Sequence, residues 1–302
     1  MGFTINTNTA SNNAYRNLTL NQNAQSKSLE KLSSGLRINR AADDAAGLAI
    51  SEGLKNQVSG MTQAARNAQD GISVIQTAEG ALTEVHSILN RMRDLAVQGG
   101  NDSNNTESRA AIQKEADELG KELNRVVSGT NFNGIKLLDG SAIAGATDGK
   151  ISIQVGAGGG AADTIAVTLG NVTNSLMGTA FAADGTATRS TDKSFGAALG
   201  ATAFSVLTAA DASSTIKSLD KAIGDISGQR SELGASQNRL ESTIKSLNVS
   251  IENLSAAGSR IRDTDMASEM ANFTRSQILS QAGTAMLSQA NQMNSGVMQL
   301  LQ

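Results

Sequence analysis

KSLDKAIGDISGQRSELGASQNRLESTIKSLNVSIENLSAAGSRI, residues 217–261, is the stretch that decides the fold. Leu219, Ile226, Leu233, Leu240, Leu247, Leu254 and Ile261 recur every seven residues. Ile216, Ile223, Ile244 and Ile251 fill the companion positions, interrupted by Arg230, Gln237 and Gly258. A heptad repeat of this kind gathers its apolar side chains into one seam that must pack on another helix.

The matching seam lies earlier in the chain. Met61, Ala68, Ile75, Leu82 and Leu89 are seven apart, as are Ala64, Gly71, Ala78, Val85 and Met92, giving a and d positions over more than four heptads. The spacing predicts a helix from about residue 58 to 98, some 60 Å long at about 1.5 Å per residue, and so an elongated molecule. Ile112, Ala116, Leu119, Leu123 and Val126 mark a shorter helix, with Thr106 or Ser108 as its expected cap. The chain has no Pro, in keeping with long uninterrupted helices.

From about 131 to 205 the pattern changes. Ile151–Val155 and Thr164–Leu169 are β-branched runs that predict two short strands joined through Gly156–Ala162. Residues 180–200 are small, polar and too poor in large apolar residues for a domain of their own.

The two ends resemble each other in composition. Between residues 1 and 26 the only ionisable side chains are Tyr15 and Arg16, and between 266 and 302 only Glu269 and Arg275. Leu279, Met286, Met293 and Leu300 are seven apart, as are Ala290 and Val297. Leu18, Leu29, Leu32 and Leu36 form an amphipathic pattern at the other end. Amphipathic helices without a partner are marginal in water, so both ends are expected to be disordered in the monomer and to become helical on assembly.

Composition narrows the function. The 302 residues carry a formal charge of −3, no Cys or Trp, one His and one Tyr. Thiol chemistry, disulfides and Cys-based zinc sites are therefore impossible. Non-specific nucleic-acid binding lacks its basic field. No apolar run is long enough to span a bilayer, and the amino terminus lacks the pattern of a cleavable signal.

Isolated motifs read blandly. Gly156-Ala-Gly158-Gly-Gly160-Ala161 formally matches a dinucleotide fingerprint, but a strand pattern follows where a helix is needed, so it reads as a turn. His86 falls at an e position and reads as a partly exposed flank residue. Asp43 and Asp44 read as caps or as partners of Arg37 or Arg40. Triplets such as Asn171-Val-Thr173 are expected by chance in so Asn- and Thr-rich a chain. No catalytic site, metal or cofactor is expected.

Four strings carry a resemblance to a known family. LSSGLRINRAADDAAGLAISEGL (32–54), LNRMRDLAVQ (89–98), NFNGIKLLDG (131–140) and SEMANFTRSQILSQAGTAMLSQANQ (268–292) resemble bacterial flagellin, in the right order and over roughly 1–178 and 208–302. The resemblance implies a mainly α fold: a long antiparallel coiled-coil-like helical rod with a small β-hairpin element, both chain ends forming a terminal helical pair. It implies an inner helix and connector at 1–44 pairing with 263–302, a rod at 45–177 completed by 208–262, and a short surface loop at 178–207 in place of large outer domains.

The implied function is that of a secreted subunit of the flagellar filament, exported unfolded by the flagellar type III system. Its implied partners are further copies of itself, an export chaperone, the filament cap and hook-filament junction proteins. Leu18, Leu29, Leu32, Leu36, Leu279, Met286, Ala290, Met293, Val297 and Leu300 are then the expected polymerisation seam. Arg91, Leu95 and Glu115 match positions read by the animal toll-like receptor for flagellin. Arg91 and Leu95 fall at c and g positions, which predicts one exposed flank outside the a/d core. A hook-filament junction protein, or a coiled-coil scaffold of discrete size, is the rival reading.

Overall fold

The computed structural model describes residues 8–140, 149–170, 172 and 204–300, the last eight by backbone alone. Five long helices run in the order α1 (Thr9–Ser34), α2 (Ala45–Gly99), α3 (Thr106–Gly129), α4 (Ala209–Arg262) and α5 (Met266–Leu300). Between α3 and α4 lie β1 (Asn131–Phe132), β2 (Ile135–Lys136), β3 (Lys150–Gln154) and β4 (Thr164–Thr168). The chain is mainly α, as expected. It divides into two compact units, Met1–Val58 with Ile251–Gln302, and Ser59–Ser250.

In the first unit α1 and α5 pack antiparallel. Asn8 Nδ2 donates to the Ala290 carbonyl at 3.0 Å near one end, and Lys31 faces Glu269 at 3.9 Å near the other. Thr9–Ser34 and Met266–Leu300 are thus both helical within one subunit. This differs from the disorder expected of isolated terminal helices, because each supplies the packing partner the other lacks. Gly35, at φ 72°, ends α1 in a left-handed conformation that a side chain would strain, and its N–H closes on Lys31 at 2.8 Å. The two connectors then run together. Leu36 bridges Asp263, Arg37 N donates to the Arg262 carbonyl at 2.6 Å, and Thr264 N to that of Gly35 at 3.0 Å. Arg37 Nη2 also reaches the Ile261 carbonyl at 2.6 Å, satisfying one of the free acceptors at the end of α4.

Both acidic residues of the connector act locally, as expected. Asp43 Oδ2 accepts from the backbone N–H of Asn39 and Arg40. Asp44 Oδ1 accepts from Gly47 N at 2.8 Å and starts α2. That cap begins the helix at Ala45, well before the expected residue 58, since Ala, Leu and Ile in the first turns sustain a helix without an a/d repeat.

In the second unit the heptad positions of α2 form the core: Ala64, Ala68, Ile75, Ala78, Leu82, Val85, Leu89, Met92 and Ala96 are buried. Leu219, Ile226, Leu233 and Leu240 of α4 join them, with Ile112, Ala116 and Leu123 of α3. The cap of α3 is Asn105, whose side chain accepts from Ser108 N, one residue before the expected candidates.

β3 and β4 pair antiparallel, with Ile151 opposite Val167 and Ile153 opposite Ile165, as their alternation predicts. Their inner face rests on α2 at Gly71, where a Cβ would stand 2.3 Å from Ile153 Cδ1, so a larger residue would force Ile153 to move. The Gly156–Gly160 segment is a turn. Asp163 closes it by accepting from Gly160 N at 3.0 Å, while Gln154 Nε2 donates to the Gly156 and Gly158 carbonyls. The Asp163 carboxylate occupies the space a phosphate would need, which removes the dinucleotide reading on steric and electrostatic grounds.

A second hairpin, β1 with β2, went unread in the hydrophobic pattern. Asn133 and Gly134, at φ 50° and 81°, supply the left-handed pair of a tight turn, and Leu137 and Leu138 follow it into the core.

The residues just ahead of α4 belong to the core. Phe204 and Val206 are buried. Gln113 of α3 grips them from both sides, donating to the Phe204 carbonyl at 2.8 Å and accepting from Val206 N at 3.3 Å. The surface loop expected at 178–207 is therefore too long at its far end, because two large apolar residues so close to α4 find a place beneath it. Residues 178–203, Asn171 and Thr173 lie outside the described residues.

Candidate assembly surface

The α1–α5 pair is held by small and polar side chains together with a few large apolar ones. On α1 the covered residues are Ser11, Ala14, Leu18, Asn21, Gln25, Ser28 and Leu32, which repeat at alternating three and four. Opposite them α5 presents Glu269, Phe273, Ser276, Ser280, Gly283, Leu287 and Ala290. Gly283 admits Leu18, whose Cδ1 lies 3.3 Å from where a Cβ would be. Ser11 Oγ donates to Asn291 Oδ1 at 3.1 Å.

Most other large apolar residues of the two helices point outward. Met266, Met270, Ile278, Leu279 and Met286 of α5 are each about half exposed or more, reaching 66% for Met286. Tyr15, Leu20 and Leu29 of α1 are equally open. Met270, Ala271, Thr274, Arg275, Ile278 and Leu279 line a shallow groove of about 500 Å³ on the outer side of α5.

The expected seam is therefore two surfaces. Leu18, Leu32 and Ala290 lie in the pair within the subunit, and Leu36 sits at the connector bridge. Leu29, Leu279 and Met286 face outward. The seven-residue spacing predicts one packing seam, but the contact between the helices alternates Leu18, Leu32, Phe273 and Leu287 with Ser, Asn, Gln and Gly, and hydrophobic periodicity registers only the first kind. The side chains of Met293, Val297 and Leu300 lie outside the described ones.

α5 carries large apolar residues on the side that its own chain leaves uncovered as well as on its inner face. Exposed apolar surface of this extent marks an interaction site, and the scarcity of charge along both ends leaves little to oppose burial.

The three receptor-matching residues separate. Arg91 Nε donates to Glu115 Oε1 at 3.0 Å, an exposed pair joining α2 to α3. Leu95 is 2% exposed and belongs to the core. The flank expected to be open is roofed by α3, which gives α2 a second packing direction beside its a/d seam. His86 is half-buried at its e position, and its Nδ1 has no partner. Among the described residues no group of three or more His, Cys, Asp or Glu could hold a metal.

Comparison with known proteins bears on the same two ends. The bacterial flagellin N-terminal helical region matches residues 5–142, and the bacterial flagellin C-terminal helical region matches residues 216–301. The chain belongs to the bacterial flagellin family. A flagellin of Halalkalibacterium halodurans is 49% identical over 297 residues, covering 98% of this chain and 99% of the relative. A flagellin of Bacillus subtilis is 46% identical over 98% of this chain and 99% of its own length. A flagellar filament 31.3 kDa core protein of Treponema maltophilum is 41% identical, over 92% of this chain and 93% of its own. Family membership thus embraces α1 and α5 along with the helices of the second unit.

Proposed function

We infer that the chain is a structural subunit of the extracellular bacterial flagellar filament, and that it polymerises through the outward faces of α1 and α5. The observation that carries the second part is the set of half-exposed Met266, Met270, Ile278, Leu279 and Met286 on a helix whose inner face is already occupied. Fully burying one such side chain stabilises by about 1.5–3 kcal/mol, so covering the remaining half of five contributes on the order of 5 kcal/mol. A contact that repeats without closing on itself gives a helical polymer.

The remaining assignments follow from the family. Residues 1–44 and 263–302 form the inner pair, and 45–177 with 208–262 the surrounding rod. The subunit leaves the cell unfolded through the flagellar type III system, attended by an export chaperone, and joins the filament beneath a cap, beyond hook-filament junction proteins. Arg91 with Glu115 forms the contact for the animal toll-like receptor, while Leu95 supports that surface from beneath. Unchanged receptor activation by an Arg91→Asp monomer would overturn this last assignment.

The assembly reading is tested with full-length Ile278→Asp/Met286→Asp protein added to short filament seeds. Loss of elongation by electron microscopy, with the circular dichroism of the second unit retained, is expected. Filaments of normal length and number would refute it.

A further inference from the structure

We propose that the outer face of α5 is a peroxide-sensitive surface, on which oxidation of Met266, Met270 and Met286 to sulfoxides blocks subunit addition and reduction restores it. The proposal rests on the assembly reading above.

Five of the nine methionines, Met266, Met270, Met286, Met293 and Met298, fall in the last 37 residues of the chain. The three whose side chains are described are 48%, 51% and 66% exposed. Met92, by contrast, is 1% exposed within the core. The chain has neither Cys nor Trp, so no thiol or indole competes for a two-electron oxidant and the thioethers are its main target. Susceptibility follows access, which concentrates the reaction on α5 in the free subunit.

The step is balanced. A peroxide O–O bond breaks, one oxygen forms a bond to Met Sδ, sulfur is oxidised by two electrons, and the peroxide is reduced to water or an alcohol. The product is a strong acceptor carried on a side chain that had been apolar. Few donors are at hand, and the Thr274 hydroxyl is already given to the Met270 carbonyl at 2.8 Å. The α5 groove is lined by Met, Ala, Thr, Ile and Leu, with Arg275 as its one charged donor. Burying an acceptor without a hydrogen-bond donor is unfavourable, so an oxidised subunit gains little from docking. The same geometry protects the finished polymer, because a covered thioether is no longer reached by the oxidant. Methionine suits the face otherwise, since its flexible thioether adapts to irregular neighbours.

The test compares the natural chain with Met266→Leu/Met270→Leu/Met286→Leu. Each is treated with hydrogen peroxide as monomer, mapped by peptide mass, and added to seeds. Each chain serves as its own reference, through its critical concentration before and after treatment. The natural chain is expected to rise roughly tenfold and to return after methionine sulfoxide reductase, while the triple variant moves less than about twofold. Natural protein oxidised at all three positions that elongates unchanged would overturn the proposal, as would a triple variant that loses elongation to the same degree. Ile278→Asp in parallel separates the two ideas. If it blocks growth while oxidation does not, the assembly surface stands and the redox control falls. If neither matters, the assembly surface itself falls.

Discussion

Replacing Leu95 by Ala tests whether this side chain is core or contact. It is 2% exposed and continuous with Leu89, Met92, Ile112 and Ala116. The substitution deletes three carbons, about 2.4 kcal/mol at about 0.8 kcal/mol each. A residual cavity adds to that, and Leu→Ala changes in packed cores fall at about 2–5 kcal/mol. We expect about 3 kcal/mol, toward the lower part of that range. With a urea slope of about 2 kcal/mol per molar, the unfolding midpoint of the second unit falls by about 1.5 M. Arg91→Ala is the control. Its pair with Glu115 is exposed and contributes about 0.2–1 kcal/mol, which shifts the midpoint by no more than about 0.5 M. The measurement is circular dichroism against urea with both variants side by side. If Leu95→Ala shifts no further than Arg91→Ala, the core placement is wrong and Leu95 is free to act as a direct contact. If the expected gap is found, any loss of receptor activation by a Leu95 variant must first be corrected for unfolded protein.

Three further outcomes follow from the geometry. Gly71→Leu should destabilise the second unit by about 1–3 kcal/mol through collision with Ile153, and Ile153→Ala in the same chain should recover much of it; additive losses in the four-member cycle would disprove the contact. Asp44→Ala should weaken the start of α2 by about 1 kcal/mol, seen as faster amide exchange over residues 45–48 with later residues unaffected. The Asp43 carboxyl is held below the usual carboxylate range, chiefly by the backbone N–H of Arg40, then by that of Asn39 and the charges of Lys27 and Lys31, against opposing desolvation. Its contribution is complete above the unfolded value of about 3.9 and is lost as pH falls through the lower folded value. Exchange at Asn39 and Arg40, corrected for intrinsic rates, should therefore accelerate only in that acid range and should lose its pH dependence in Asp43→Asn.

The two long seams were legible because their partners are also apolar and a heptad leaves a one-dimensional trace. Leu95 was not, since a g position becomes core only when a third helix lies beside the first two, and periodicity along one helix does not report how many neighbours it has. The α1–α5 contact was legible only in part. Leu18, Leu32 and Ala290 lie in it, but much of it is Ser, Asn, Gln and Gly, which leave no apolar trace. The repeat through Leu279 and Met286 instead follows the side of α5 that the subunit leaves open. The β1–β2 hairpin had a signal after all. Asn133-Gly134 is a strong two-residue turn pair, overlooked because the strands on either side are only two residues long.

Tyr15 gives the subunit a built-in optical probe. As the sole tyrosine of a chain without tryptophan, it dominates the ultraviolet emission, and it stands open to solvent on α1 beside the surface through which neighbours would arrive. Quencher access and emission intensity would then follow the capture of each subunit in real time, with no dye attached and no residue replaced.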